Sequence, residues 1–162
     1  MPKTTNVTTC LATMKDYDAI CRLTQQLDRH MAGMRPDVFT AFDGPARPRD
    51  VIASYVESKD AAYLLAELDG EIVGFINLKK AAASNYPMFK PCEFAAIENL
   101  VVDEAHRRRG IGTLLFEAAK KWALDRGLKH IQLTVWTANT AAIAFYAKMG
   151  FKALHAKMEL SL

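Results

Sequence analysis

"HRRRGIG", residues 106–112, stands between a β-branched run, "EFAAIENLVV" (93–102), and a helical repeat. Three arginines lead directly into Gly110 and Gly112. From Ile111 on, Leu114, Leu115, Ala118, Ala119 and Trp122 recur at the spacing of one helix face, which predicts a helix over 111–126 closed by Gly127. The stretch is therefore the turn between a strand and a helix. The first turn of a helix leaves N–H groups unpaired and carries about half a positive charge, so it attracts anions. Glycines let a phosphate approach the backbone, and arginine forks add charge-assisted hydrogen bonds. The region suits a pyrophosphate, although a solvated basic turn with glycines kept for packing is the plainer alternative.

Familiar phosphate motifs do not fit. The Walker pattern GxxxxGK[ST] is absent, and the dinucleotide pattern GxGxxG fails at Leu115. A nucleic-acid site would add stacking aromatics or a broad basic face; neither is present, and the net charge is only +3.

Outward from this point the chain punctuates clearly. "NVTTCLAT" (6–13) reads as a first strand, and Tyr17, Ile20, Thr24, Leu27 and Met31 predict a helix ending at Gly33. A proline-rich loop follows, then a short helix, "RDVIASYVES" (49–58). "AAYLLAEL" (61–68) and "EIVGFINL" (71–78) flank Asp69-Gly70, a hairpin signal. Residues 81–92 connect to the strand at 93–102. Beyond the central helix come a strand, "KHIQLTVW" (129–136), a helix, "TAAIAFYAKM" (140–149), and one or two strands in "FKALHAKMELSL" (151–162). The expected order is β-α-α-β-β-β-α-β-α-β, an α/β chain with one mixed, mostly antiparallel sheet flanked by helices in a single domain over 1–162. A doubly wound dinucleotide fold would alternate from the start.

Two segments carry a family resemblance. Arg107-Arg108-Arg109-Gly110-Ile111-Gly112 resembles the R/Q-x-x-G-x-G/A signature of the GCN5-related N-acetyltransferases, or GNAT family. "VWTANTAAIAFYAKMGF" resembles that family's second segment through Asn139, Ala142, Ile143, Phe145, Tyr146, Gly150 and Phe151. The resemblance covers residues 94–151 and implies an acetyl-CoA-dependent acyltransferase of GNAT fold. It implies that the turn over Arg107, Arg108, Arg109, Gly110, Ile111, Gly112 and Thr113 holds the CoA pyrophosphate. Leu100, Val101 and Val102 would pair with the pantetheine arm. Asn139 and Ala142 would meet that arm from the facing helix, and Tyr146 would lie near the thioester sulfur.

The chemistry fits that frame. From Val102 back to Glu98 is about 13 Å at strand rise, comparable to an extended pantetheine arm. In an unbroken strand Glu98, Leu100 and Val102 share one face, and a bulge would change this. An amine of lysine-like pKa is neutral in only about one molecule in 2,500 at neutral pH, a handicap of roughly 4.6 kcal/mol. A positioned carboxylate recovers about 10²–10⁴ in rate. Glu98 is the candidate general base and Glu93 its rival; the alternative for Glu98 is an ordinary surface glutamate. Tyr146 is the candidate general acid toward the departing thiolate, against core packing as the plain alternative. Cys92 has no base in sequence relation to it. His30 with the methionines of "HMAGM", and the loop "SNYPMFKP" (84–91), are weaker candidates for the acceptor pocket.

The bulk properties set the remaining expectations. At 162 residues, 51% hydrophobic and 24% charged, the chain needs no disulfide or metal staple. Cys10, Cys21 and Cys92 are few and unpaired in sequence, which predicts reduced thiols and a cytoplasmic protein. The histidines have no metal-ligand spacing, so no metal is expected. No apolar run approaches a membrane span, and no leader is visible. The expected partner is a small-molecule amine, polyamine-like by resemblance, with no nucleic acid and no membrane. A peptide amine acceptor, a non-catalytic acyl-CoA-binding role and a homodimer stay open.

Overall fold

The computed structural model describes residues 6–162. Its elements are β1 (Thr8–Leu11), α1 (Tyr17–Met34), α2 (Arg49–Val56), β2 (Ala61–Leu68), β3 (Glu71–Ala82), β4 (Glu93–Val102), α3 (Ile111–Leu124), β5 (Ile131–Leu133) and α4 (Thr140–Lys148). The sheet runs in sequence order β1-β2-β3-β4-β5. Every pair is antiparallel except β4–β5, which is parallel. This is the expected mixed, mostly antiparallel α/β architecture.

The strand alternation explains the layers. Along β2, Ala62, Leu64, Ala66 and Leu68 point to α3, where Ile111, Leu115, Phe116, Ala119 and Trp122 meet them. Tyr63 and Leu65 point the other way, to Ile20 and Leu23 of α1 and Ile52 of α2. Both faces of the central strands are thus covered, and β2 and β3 read as nearly continuous apolar runs. The turn between them holds Asp69 at φ 50° and Gly70 at φ 83°, as two left-handed residues in a tight hairpin require.

Three expectations are corrected. Gly33 does not end α1; the helix continues through Met34, and Pro36 soon follows. The strand expected over 129–136 keeps only Ile131–Leu133, because pairing with β4 stops there. The strands expected within 151–162 are absent. Their alternating pattern is real, but among the described residues nothing pairs with it. No described helix is long and apolar enough to cross a membrane.

Candidate active site

The site is built where β4 leaves its neighbour. The parallel ladder joins Ala95, Ala96 and Ile97 to Ile131, Gln132 and Leu133 and goes no further. From Glu98 to Val102 the β5 side of β4 carries no ladder, so a linear molecule can pair there as an added strand.

Glu98 lies at a β-bulge. Asn77 pairs with Asn99 and Leu78 with Ile97, so Glu98 is the extra residue of β4. The slip corrects the expectation that Glu98, Leu100 and Val102 share a face. Leu100 and Val102 pack toward α3, with Ala95 and Ile97. Glu98 instead reaches residues on the α1–α2 side. Its carboxylate accepts hydrogen bonds from the Tyr55 hydroxyl and, at 3.4 Å, from Asn77 Nδ2. Lys79 Nζ pairs with it at 2.5 Å. Asn77, itself buried, also accepts from Asn99 Nδ2 at 3.0 Å. Tyr55 stands edge-on to Tyr63. Burial, and then the bond to Glu98, raise the Tyr55 pKa, while burial pushes Tyr63 up to about 12.

The turn to α3 has the geometry of an anion cradle. Arg108 takes φ 61° and Gly110 φ 78°, so two left-handed residues, separated by one position, precede Ile111. No side chain caps the N-terminus of α3, and a Cβ on Gly110 would meet nothing within 4 Å. The N–H groups of the first turn therefore have no side-chain partner, which fits a phosphate. Arg108 and Arg109 are exposed, whereas Arg107 turns back and donates from Nε to the Val102 carbonyl at 3.3 Å. Gly112 lies under α4: a Cβ there would sit 3.5 Å from the Phe145 ring.

Asp103 braces this turn from behind. It is buried, accepts from Ala105 N–H at 2.9 Å and pairs with Arg22 of α1 at 2.5 Å. Burial opposes its charge, yet these donors hold its carboxyl below the usual carboxylate value. Gln26 of α1 accepts from Glu104 N–H at 3.0 Å, so the base of the turn is tied to α1 twice.

Across the cleft, Asn139 caps α4 by accepting from Ala142 N–H at 3.2 Å, so its carbonyl oxygen is committed to the helix. Phe145, Tyr146, Phe151 and Phe116 form a chain of rings 5.4–5.5 Å apart that docks α4 on α3. Burial pushes Tyr146 up to about 12, which keeps its hydroxyl protonated at neutral pH. Glu93 stands at the start of β4, paired with Lys80 at 2.9 Å and remote from the bulge. The Cys92 thiol meets only the Glu93 carbonyl. His30 is exposed on α1, as are Tyr86, Met88 and Phe89 on the 84–91 loop.

Tyr55, Asn77, Lys79 and Asn99 escape notice in the sequence. Only Asn77, a lone polar residue within the apolar run "GFINL", carries a signal of its own. Tyr55 comes from a helix 43 positions away from Glu98 in the chain.

Comparison with known proteins finds relatives in both sequence and fold. The model of the Acetyltransferase (GNAT) family matches residues 29–151. A streptothricin acetyltransferase from Escherichia coli is 36% identical over 124 residues, covering 76% of this chain and 66% of that protein. An N-alpha-acetyltransferase from Sulfurisphaera tokodaii is 32% identical over 108 residues, 65% of each chain. The chain thus spans a little under two thirds of the length of these relatives. Among solved structures, a mutant of the BH1408 protein from Bacillus halodurans superposes with a TM-score of 0.90 at 26% identity, covering 96% of this chain and 99% of that one.

Proposed function

Because this chain belongs to the GNAT family of acetyltransferases, we propose that it transfers the acetyl group of acetyl-CoA to a primary amine by direct attack on the thioester. The observation that carries this reading is the pairing of two features. One is the β4 edge left without a ladder from Glu98 to Val102; the other is the uncapped N-terminus of α3 at Gly110. A donor with a long, thin arm joined to a pyrophosphate fits both at once. The N–H groups from Arg108 to Thr113 hold the pyrophosphate, with the Arg108 and Arg109 side chains adding charge. The backbone of Leu100, Val101 and Val102 pairs with the pantetheine arm. Asn139 and Ala142 bound the arm from α4, Asn139 through its amide nitrogen. Acetyl-CoA supplies the activated acetyl group, and the residues do the rest.

Glu98 receives the acceptor as an ammonium, as it now receives Lys79, and takes its proton directly or through water. The new N–C bond forms as the C–S bond breaks, and the nitrogen then releases its second proton to water or to the phenolate that Tyr146 becomes. Tyr146 gives its proton to the departing thiolate. That thiolate has a pKa near 8.5 and leaves fairly well unaided, so acid catalysis is the smaller contribution.

The acceptor is a small, cationic, polyamine-like molecule. The streptothricin acetyltransferase relative supports that class, and the carboxylate at the bulge supplies the matching charge. A peptide amine is the second reading, favoured by the N-alpha-acetyltransferase relative. A panel of polyamines, aminoglycosides, amino acids and peptides with acetyl-CoA, followed by free thiol release, tests both. Turnover confined to peptides would reject the small-molecule acceptor, and no amine-dependent thiol release would reject the activity.

A further inference from the structure

The two oxygens of the Glu98 carboxylate are unequally engaged. Oε2 accepts from the Tyr55 hydroxyl and, at 3.4 Å, from Asn77 Nδ2. Oε1 is the oxygen left to take a proton, and it holds Lys79 Nζ at 2.5 Å. An acceptor amine that uses Glu98 must therefore take the place that Lys79 fills.

Strand geometry puts Lys79 there. Leu78 and Ile97 pack toward α3, so the residues that follow them, Lys79 and Glu98, project together on the α1–α2 side. Lys79 pairs with Ala96 in the β3–β4 ladder, which makes Glu98 its diagonal neighbour. Lys80, one residue on, pairs instead with Glu93 at 2.9 Å, at the far end of β4. The Lys79 side chain is 49% exposed, and its ammonium rides on a flexible four-carbon stem.

A reacting amine has two requirements: contact with the base, and an approach of about 3–3.5 Å to the thioester carbonyl. Lys79 meets the first as it stands. For the second, the open β4 edge begins at Glu98, so a donor arm lying along Val102 to Leu100 brings its thioester to the same end of the strand. A swing of the Lys79 stem then covers the remaining gap.

We propose that Lys79 is itself an acceptor: with acetyl-CoA bound and no free amine present, the chain acetylates its own Lys79. This rests on the acetyl transfer proposed above. Glu98 Oε1 takes one proton from the Lys79 ammonium, and the neutral Nζ attacks the thioester carbonyl carbon. The N–C bond forms, the C–S bond breaks, and the electron pair leaves with sulfur. The sulfur takes the Tyr146 proton, the nitrogen gives its second proton to the resulting phenolate, and Glu98 releases its own to water. One ammonium and one acetyl-CoA thus yield acetyl-Lys79, free CoA thiol and one proton. The amide carries no charge, so the modified chain presents Glu98 to an incoming ammonium without an internal competitor.

The test is the full chain with acetyl-CoA and no added amine, followed by free thiol and by peptide mass mapping. The expected result is one equivalent of thiol per chain and an acetyl group on Lys79. Lys121, with a side chain 76% exposed, reports unassisted reaction with acetyl-CoA and is expected to lag behind. The rate is expected to be independent of protein concentration, and Lys79→Arg to lose the thiol equivalent. Glu98→Gln is expected to slow the step by about 10²–10⁴ near neutral pH. Lys79 left unmodified while added amines are acetylated would overturn this inference and leave the proposed reaction standing. No thiol release with or without amine would reject the reaction and the inference together. Acetylation of Lys79 no faster than of Lys121, or equally fast in Gly110→Glu, would be unassisted chemistry and would overturn it. A rate that rises with protein concentration would mean transfer between copies and would overturn it too.

Discussion

Lys79 Nζ stands 2.5 Å from Glu98 Oε1, across the β3–β4 ladder at the point where that ladder slips. The carboxylate proposed to receive a cationic amine already holds one. Both side chains are substantially exposed, so the pair contributes only about 0–1 kcal/mol and yields to a competing ammonium at little cost. Lys79→Ala is accordingly expected to lower KM for a cationic acceptor by up to about fivefold with little change in kcat. Steady-state kinetics measure this, and a raised KM would mean that Lys79 helps to bind the acceptor.

Removing the carboxylate separates its possible roles. Glu98→Gln is similar in size but cannot accept a proton. If Glu98 is the base, kcat/KM falls by about 10²–10⁴ near neutral pH. The defect shrinks as pH rises toward the amine's pKa, where neutral acceptor is available without help. If Glu98 only binds charge, KM rises more than kcat falls. A pH-independent loss of a few-fold would remove Glu98 from the mechanism.

Tyr146→Phe keeps the ring contacts with Phe145 and Phe151. The expected result is a kcat reduced by less than about tenfold, with acetyl-CoA affinity unchanged, because the thiolate is a good leaving group. Wild-type kcat with the best acceptor would exclude the acid role.

Tyr63 and Tyr146 also make stability depend on alkaline pH. Burial raises both from the usual 10.0 to about 12. Between those values the unfolded chain loses the two protons and the folded chain keeps them. Stability is therefore intact below about pH 10 and falls above it, by about 1.4 kcal/mol per pH unit for each tyrosine. Urea midpoints across this range measure the slope, to which the raised Tyr55 also adds, and Tyr63→Phe is expected to reduce it. An unchanged slope in that variant would contradict the assignment.

Much of this was legible in the sequence because it is local. The Asp69-Gly70 turn, the apolar face from Ile111 to Trp122 and the glycines before it are set by neighbours within a few residues. The bulge was not legible: "EFAAIENLVV" has no glycine or proline to mark the slip, which exists only against β3. The contacts of Glu98 with Tyr55 and Lys79 follow from that slip and from the placement of α2. The failure at 151–162 has another origin. The alternation is present, but a strand needs a partner, and among the described residues nothing pairs with this segment.

Gly110 offers the most direct test. Its positive φ and the open space beside it define the cradle on which donor binding, and hence the proposed reaction, depends. Gly110→Glu places a side chain and a negative charge where the pyrophosphate is expected, while Gly110→Ala carries the same strain of a side chain at positive φ without the bulk or charge, and serves as the folding control. The measurement is amine-dependent thiol release from acetyl-CoA, with folding checked by circular dichroism. The account predicts one thiol released per amine acetylated by the wild type, retained turnover in Gly110→Ala, and none in a folded Gly110→Glu. Wild-type turnover in Gly110→Glu would put the donor elsewhere and contradict the account.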